Sequence, residues 1–313
     1  MKAPFPWFGG KSRVASTVWQ RFGDVPNYVE PFAGSLAVLL DRPTAPGIET
    51  VNDIDGLLAN FWRSVALQPD EVARWADWPV SECDLHARHL WLVGQIAGLA
   101  DRLCADPDWC DPKIAGWWVW GLCSWIGSGW CSGNGPWTAL DGVLVKGDAG
   151  QGIKRKLPHL GDAGRGINRQ ETAILDTMRE LSQRLRGVRI CQGDWTRVCG
   201  ESVTHRGGTL TGVFLDPPYL SADTAGDLYR TDSVDVAHAV REWAIANGGN
   251  RLMRIALCGY EGEHEMPSDW ECVAWKAQGG MGSQRADKSN GNAGRERIWF
   301  SPHCLSGKQG SLF

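Results

Sequence analysis

The stretch Gly212-Val-Phe-Leu-Asp216-Pro217-Pro218-Tyr219 limits the folds open to this chain more than any other. Its first half is short, continuously apolar and stopped by proline. That is the pattern of a strand buried on both faces, which parallel sheets of α/β proteins use. Pro217 and Pro218 remove two backbone donors and hold the chain extended. Asp216 and its neighbours are thereby left as acceptors at the carboxyl end of a strand, the edge where open α/β sheets bind ligands. An exocyclic amino group has two hydrogens to give. The Asp216 carboxylate and a prolyl carbonyl can take both, and Tyr219 offers a flat face to a heterocyclic base. The plainer alternative is a β-turn after a core strand, with Tyr219 merely packed. A bare Asp-Pro-Pro favours the turn; the apolar strand before it and the tyrosine after it favour a site.

The same strand-to-acid step recurs. Pro6-Trp7-Phe8-Gly9-Gly10-Lys11 is a glycine turn before a helix carrying Val14, Val18 and Phe22. Lys11 either points into water or meets an anion together with the free N–H groups of the turn. Tyr28-Val29-Glu30-Pro31-Phe32-Ala33-Gly34 reads as a strand, an acid and a tight turn, followed by a helix. Glu49 to Asp53 reads as a second strand, ending in an acid roughly 20 residues after the glycine turn, the spacing of a ribose-binding carboxylate. Asp55 fits the cap of the next helix, which leaves Asp53 for a ligand. Val188 to Asp194 repeats the step. Arg251 to Cys258, Trp270 to Trp275 and Glu296 to Phe300 read as later strands, the last two as a terminal hairpin.

Residues 63–186 differ. Val72, Trp75 and Trp78 share one helical face, and Ser81 opens a helix carrying Leu85, Leu92, Ile96, Leu99 and Leu103. Trp118, Leu122 and Trp125 mark a third helix, and Asn168 with Glu171 forms a capping box for a fourth. A helical insertion therefore interrupts an α/β domain. Most of its tryptophans belong to a core, with one or two exposed rings enough for stacking on a base. Lys146, Lys154, Arg155, Lys156, Arg165 and Arg169 lie in a Gly-rich stretch, and Arg285 and Lys288 in another. These suit phosphate contact, or are solvated linker. The net charge of -4 means that any nucleic-acid surface is a local patch. The ten cysteines form no Cys-x-x-Cys pair, so no zinc site is expected, and free thiols fit a reducing cytosol. The uncharged run Ile114–Leu140 is broken by Gly and Asn and reads as a buried helix and loop, not a membrane span.

Taken together, Trp7-x-Gly9-Gly10-Lys11, Glu30-Pro31-Phe32-x-Gly34, Asp53, the insertion, Gly193-Asp194 and Asp216-Pro217-Pro218-Tyr219 resemble the Dam-type S-adenosylmethionine-dependent DNA adenine-N6 methyltransferases, phage and prophage versions in particular. The resemblance covers the first 60 residues and about 185 to 260. It implies a Rossmann-like class I methyltransferase sheet, with residues 1–62 and 187–313 as a discontinuous catalytic domain and residues 63–186 as a helical target-recognition insertion. It also implies S-adenosylmethionine as cofactor, double-stranded DNA as partner, no metal, and a cytoplasmic setting in a bacterial host. Trp7, Gly9, Gly10, Lys11, Glu30, Pro31, Phe32, Gly34, Asp53, Asp194 and Asp216 would line the cofactor, with Lys11 near its carboxylate. Asp216 to Tyr219 would be the catalytic motif, acting on a flipped adenine. Where the family's turn has a second glycine, this chain has Leu36. Cytosine-N4 methylation is the nearest alternative, although that class more often has Ser in place of Asp216. An RNA or protein-amide methyltransferase and a catalytically silent DNA-binding relative are further ones.

Overall fold

The computed structural model describes residues 1–7, 9–106, 108–125, 130–131, 137–140, 143–146, 173–219, 234–275 and 294–306. The chain forms two compact units. One holds Met1, Gly9–Ile54 and Gly187–Phe313; the other holds Lys2–Phe8 and Asp55–Arg186. The described strands are β1 (Asn27–Glu30), β2 (Ile48–Asp53), β3 (Trp137–Leu140), β4 (Val143–Lys146), β5 (Val188–Gln192), β6 (Thr211–Leu215), β7 (Met253–Tyr260), β8 (Glu271–Ala274) and β9 (Glu296–Phe300).

Seven strands build one sheet in the order β5-β2-β1-β6-β7-β9-β8. The five from β5 to β7 are parallel, and β9 and β8 close the edge antiparallel, as the expected late hairpin. Every residue of β1 and β6 is buried, as strands covered on both faces must be. Val29, Val213, Leu215, Ile255 and Leu257 form the centre of one core cluster. The helix Ala15–Phe22 buries Val18, Trp19 and Phe22. Gly212 permits that close approach, since a Cβ there would lie 2.9 Å from the Phe22 ring. Numbered within this sheet alone, the strand order is 3-2-1-4-5-7-6, a Rossmann-like methyltransferase arrangement. The direction of winding reverses between β1 and β6, so their carboxyl ends flank the switch point where such sheets bind ligands.

The second unit is mainly helical. The helix Gly56–Leu67 belongs to it and packs on the helix Pro112–Ser124. Asp55 is its N-cap, accepting from the Leu57 N–H at 2.8 Å. Ser81 caps the helix Glu82–Ile96. The expected single helix from Ser81 through Leu103 is in fact two. Gly98 at φ 78° ends the first, and Leu99–Ala105 forms the second. The 3.6-residue periodicity continued across the break and concealed it. Trp118, Trp120 and Trp125 are buried, so these are core residues. Lys146 ends β4, but its side chain lies outside the described residues. Lys154, Arg155, Lys156, Arg165, Arg169, Arg285, Lys288 and the Asn168–Glu171 capping box also lie outside them. Among the described residues, no helix is long and apolar enough to cross a membrane.

Candidate active site

Two acids stand at the switch point, Glu30 ending β1 and Asp216 directly after β6. Between strands and helix comes a cation. The Lys11 carbonyl accepts the first N–H groups of the helix Ala15–Phe22, while its side chain turns inward and is only 4 % exposed. The Lys11 Nζ lies 2.9 Å from Asp216 Oδ1 and donates to the Gly9 carbonyl at 2.6 Å. Gly9 at φ 67° makes the turn that brings this carbonyl back. Burial by itself would lower the proton affinity of Lys11. The charges of Asp216 and Glu296 more than offset it, so Lys11 is held as a cation. Glu30 has no such cation beside it. Burial first, then the nearby Asp216 charge, push its carboxyl up to about 8, against a 2.9 Å hydrogen bond from the Tyr28 hydroxyl. At neutral pH Glu30 is therefore protonated, whereas Asp216 forms the ion pair with Lys11.

Tyr219 completes the acceptor side. Its hydroxyl donates to Asp216 Oδ1 at 3.1 Å, and its ring packs edge-on to Tyr260 with centroids 4.7 Å apart. Lys11 Nζ lies 5.1 Å from the Tyr219 ring centre and 5.6 Å from that of Trp275. Both contacts to Asp216 fall on Oδ1. Among the described residues no hydrogen bond reaches Oδ2, and the side chain is 19 % exposed. Pro217 is buried and Pro218 half-buried.

The neighbouring strand ends, β2 and β5, are built differently. Asn52 is buried and donates to the carbonyls of Pro31 and Gly193, at 3.1 and 2.9 Å. Asp53 accepts from the Gly34 N–H at 3.0 Å, and its carbonyl accepts from Gly193. These bonds tie the turn after β1 to the end of β5. Gly34 takes φ 45° and Gly193 φ 127°. Leu36, where the family pattern has glycine, adopts φ 54° and ψ 28° as a fully buried leucine. The left-handed geometry of the turn is thus kept without the residue that adopts it most readily, at a strain of about 1 kcal/mol. Asp194 is exposed and accepts from the Thr196 N–H and hydroxyl, which fixes it at the start of a short helix. Phe32 stacks near Trp195.

The sheet thus brings together Lys11, Glu30, Asp216 and Tyr219, and beside them Gly34, Asp53 and Gly193. Gly10 is exposed in the turn. Trp7 falls in the second unit, where it packs against Phe5 and Trp118. The carboxylate that Lys11 meets is that of Asp216. Sequence reasoning missed Glu296. It opens β9, which runs antiparallel, so its first residue lies opposite Tyr260 at the same sheet edge as the parallel strands' last residues. The signal was an acid at one end of the apolar run Ile298-Trp-Phe, at the start instead of the finish. Among the described residues, no cluster of His, Cys, Asp and Glu is arranged to hold a metal.

No curated protein matches the chain. Residues 7–76 match the family described as D12 class N6 adenine-specific DNA methyltransferase, a match that includes Lys11, Glu30, Gly34 and Asp53. The first quarter of the chain is thus similar to a family of N6 adenine-specific DNA methyltransferases, and the strand order and the Asp-Pro-Pro-Tyr motif at the switch point agree with that similarity.

Proposed function

We propose that Asp216, Pro217, Pro218 and Tyr219 receive the target adenine, and that S-adenosylmethionine binds along the carboxyl ends of β1, β2 and β5. The Lys11–Asp216 pair with its open Oδ2 carries the first half of this reading. The chemistry of the second crevice carries the other half. Gly34 and Gly193 let backbone come close to a ligand, Asp53 is a fixed acceptor beside them, and Asn52 Oδ1 is a buried acceptor with no hydrogen-bond partner among the described residues. Glu30, Pro31, Phe32, Gly34, Asp53 and Asp194 would hold the cofactor, with Gly9, Gly10 and Lys11 at one end. When bound, the cofactor supplies an electrophilic methyl group.

The residues of this chain supply alignment. The N6 amino group is engaged in base pairing within duplex DNA, so the adenine has to leave the helix. Tyr219 stacks on it. Asp216 Oδ2 and the Pro217 carbonyl accept the two amino hydrogens, which directs the nitrogen lone pair away from the ring plane. Lys11 holds Asp216 in place through its ion pair, and no strong base is needed because the nitrogen sheds its proton after transfer. Residues 63–186 serve as the target-recognition unit, with Lys146, Lys154, Arg155, Lys156, Arg165, Arg169, Arg285 and Lys288 contacting phosphates of duplex DNA.

The decisive variant is Asp216→Ala. Methyl incorporation into adenine-unmethylated DNA is expected to fall by roughly 10³-fold or more, with the circular dichroism spectrum unchanged. Near-normal transfer by this variant would falsify the assignment. Expression of wild type in a methylation-free host, followed by mapping of modified bases, reads the target sequence at the same time.

A further inference from the structure

On one side of β2 the parallel ladder to β1 ends with Glu30 opposite Val51; on the other side the ladder to β5 ends with Gln192 opposite Asp53. Pro31 has no N–H, so it cannot extend the first. Gly193 leaves the second at φ 127°, outside the range of a strand. Asn52 spans both endings. It is only 1 % exposed, and its side-chain nitrogen donates to the Pro31 carbonyl at 3.1 Å and to the Gly193 carbonyl at 2.9 Å. Its own carbonyl accepts from the Ala33 N–H at 2.8 Å. Both side-chain partners are carbonyl oxygens, which only accept, so the nitrogen and not the oxygen of the carboxamide has to face them. β1 and β5 are not neighbours in the sheet, because β2 lies between them. One carboxamide therefore ties the turn after β1 to the end of β5 across the strand that separates them. Asn52 Oδ1 is buried and accepts nothing among the described residues, a cost that the two donated bonds have to outweigh.

We propose that Asn52 is a positioning residue for the cofactor: by holding the carbonyls of Pro31 and Gly193 it fixes the separation of the two backbone segments that flank the S-adenosylmethionine crevice. The proposal rests on the placement of the cofactor along β1, β2 and β5 made above. Both amide hydrogens are committed to the protein, so Asn52 acts through those segments and not on the acceptor side at Asp216 and Tyr219. Without it the turn and the β5 end are free to separate. Their ordering then has to be supplied on binding, which weakens the cofactor and spares the transfer step. Leucine has the same branched shape and removes the donors together with the stranded acceptor. Aspartate also keeps the shape but turns an oxygen toward two carbonyl oxygens.

The test is calorimetric binding of S-adenosylhomocysteine to wild type, Asn52→Leu and Asp53→Ala, with steady-state methyl transfer to adenine-unmethylated DNA alongside. Asn52→Leu is expected to raise the Kd for S-adenosylhomocysteine, and the KM for S-adenosylmethionine, by about tenfold. The KM for DNA and kcat at saturating cofactor should stay within about threefold of wild type. A residue that merely supports the fold lowers stability without producing that split, so equal losses on the cofactor and DNA sides overturn the proposal. Asn52→Ala needs no extra space and carries the same expectations should the leucine variant not fold. Cofactor affinity unchanged at Asn52 but weakened by Asp53→Ala overturns the proposal alone; affinity unchanged by both variants overturns the placement of the cofactor as well. Urea unfolding of Asn52→Asp gives a reading independent of turnover. Facing two carbonyls, the new carboxyl holds its proton more tightly in the folded state than in the unfolded chain. The stability of this variant relative to wild type is therefore expected to fall as pH rises above the ordinary carboxyl range, and a difference constant with pH overturns the brace.

Discussion

Both units of this protein bury cations, and they do it in opposite ways. In the sheet unit Lys11 faces acids: Asp216 at 2.9 Å, with Glu296 near enough to raise its proton affinity. In the helical unit Arg88 lies against the rings of Trp78, Trp117 and Trp120, with its guanidinium carbon 5.1, 5.0 and 4.2 Å from their centres. Lys113 lies over Trp75, Trp91 and Trp117 in the same manner. Indole faces attract a cation without titrating. Carboxylates attract it more strongly but change charge with pH, and several of them around one lysine compete for it. The tryptophan arrangement yields a packed element that is indifferent to pH. The carboxylate arrangement yields a site whose charge can be set, at some expense in stability, which is the usual character of a functional site.

The hardest way to break the contrast is to remove the central cation. Lys11→Met leaves Asp216 and Glu296 without the cation that faces both. A loss of about 3–5 kcal/mol near neutral pH is expected by urea unfolding. That loss should shrink toward pH 5, because the orphaned acids then bind protons.

Glu30→Gln acts in the other direction. The folded-state proton affinity of Glu30 is raised to about 8, so the native protein binds this proton more tightly than the unfolded chain does. Wild-type stability consequently falls as pH rises from about 4.5 through about 8. Glutamine has nothing to ionise, and the variant is expected to gain up to a few kcal/mol over wild type at the alkaline end. Equal slopes of stability against pH for the two proteins would show that Glu30 is not the group responsible.

In the helical unit Arg88→Ala removes contacts with three rings at once. A loss of about 2 kcal/mol is expected, with no change in the pH slope between 5 and 8. Asp84 also acts on Arg88 through its charge, and a slope change would mean that this acid, more than the rings, holds it. Leu36→Gly, at the left-handed turn, is the mildest. Relief of about 1 kcal/mol of backbone strain works against about 2–3 kcal/mol of lost burial, giving a net loss of roughly 1–2 kcal/mol with methyl transfer retained.

Much of the sheet unit was legible because its signals are local. Short apolar runs stopped by Pro31, by Asp53 or by Pro217 define strands. An acid at each strand's carboxyl end marks the ligand edge whatever the order of strands. Asp55 was readable as a cap and does cap its helix, while Asp53 accepts from the Gly34 N–H. The tryptophans of the insertion were harder to read. Burial of Trp118, Trp120 and Trp125 depends on which helix face meets which neighbour, and that is a long-range property. The single helix expected from Ser81 to Leu103 failed because Gly98 breaks the backbone without interrupting the apolar period.

The sequence by itself determined the alternation of elements, the run of acids at strand ends and the Asp-Pro-Pro-Tyr motif after β6, since each depends on residues adjacent in the chain. Only the tertiary structure decided which acid Lys11 would face and which would be left protonated. Lys11 and Asp216 are distant in sequence, and what joins them is the reversal of winding between β1 and β6. It likewise decided that Glu296 belongs to the site, because an antiparallel last strand delivers its first residue to the edge where the parallel strands end. And it decided that Leu36 could stand where a glycine was expected, because a leucine buried on every side is held in a backbone conformation it would not choose alone.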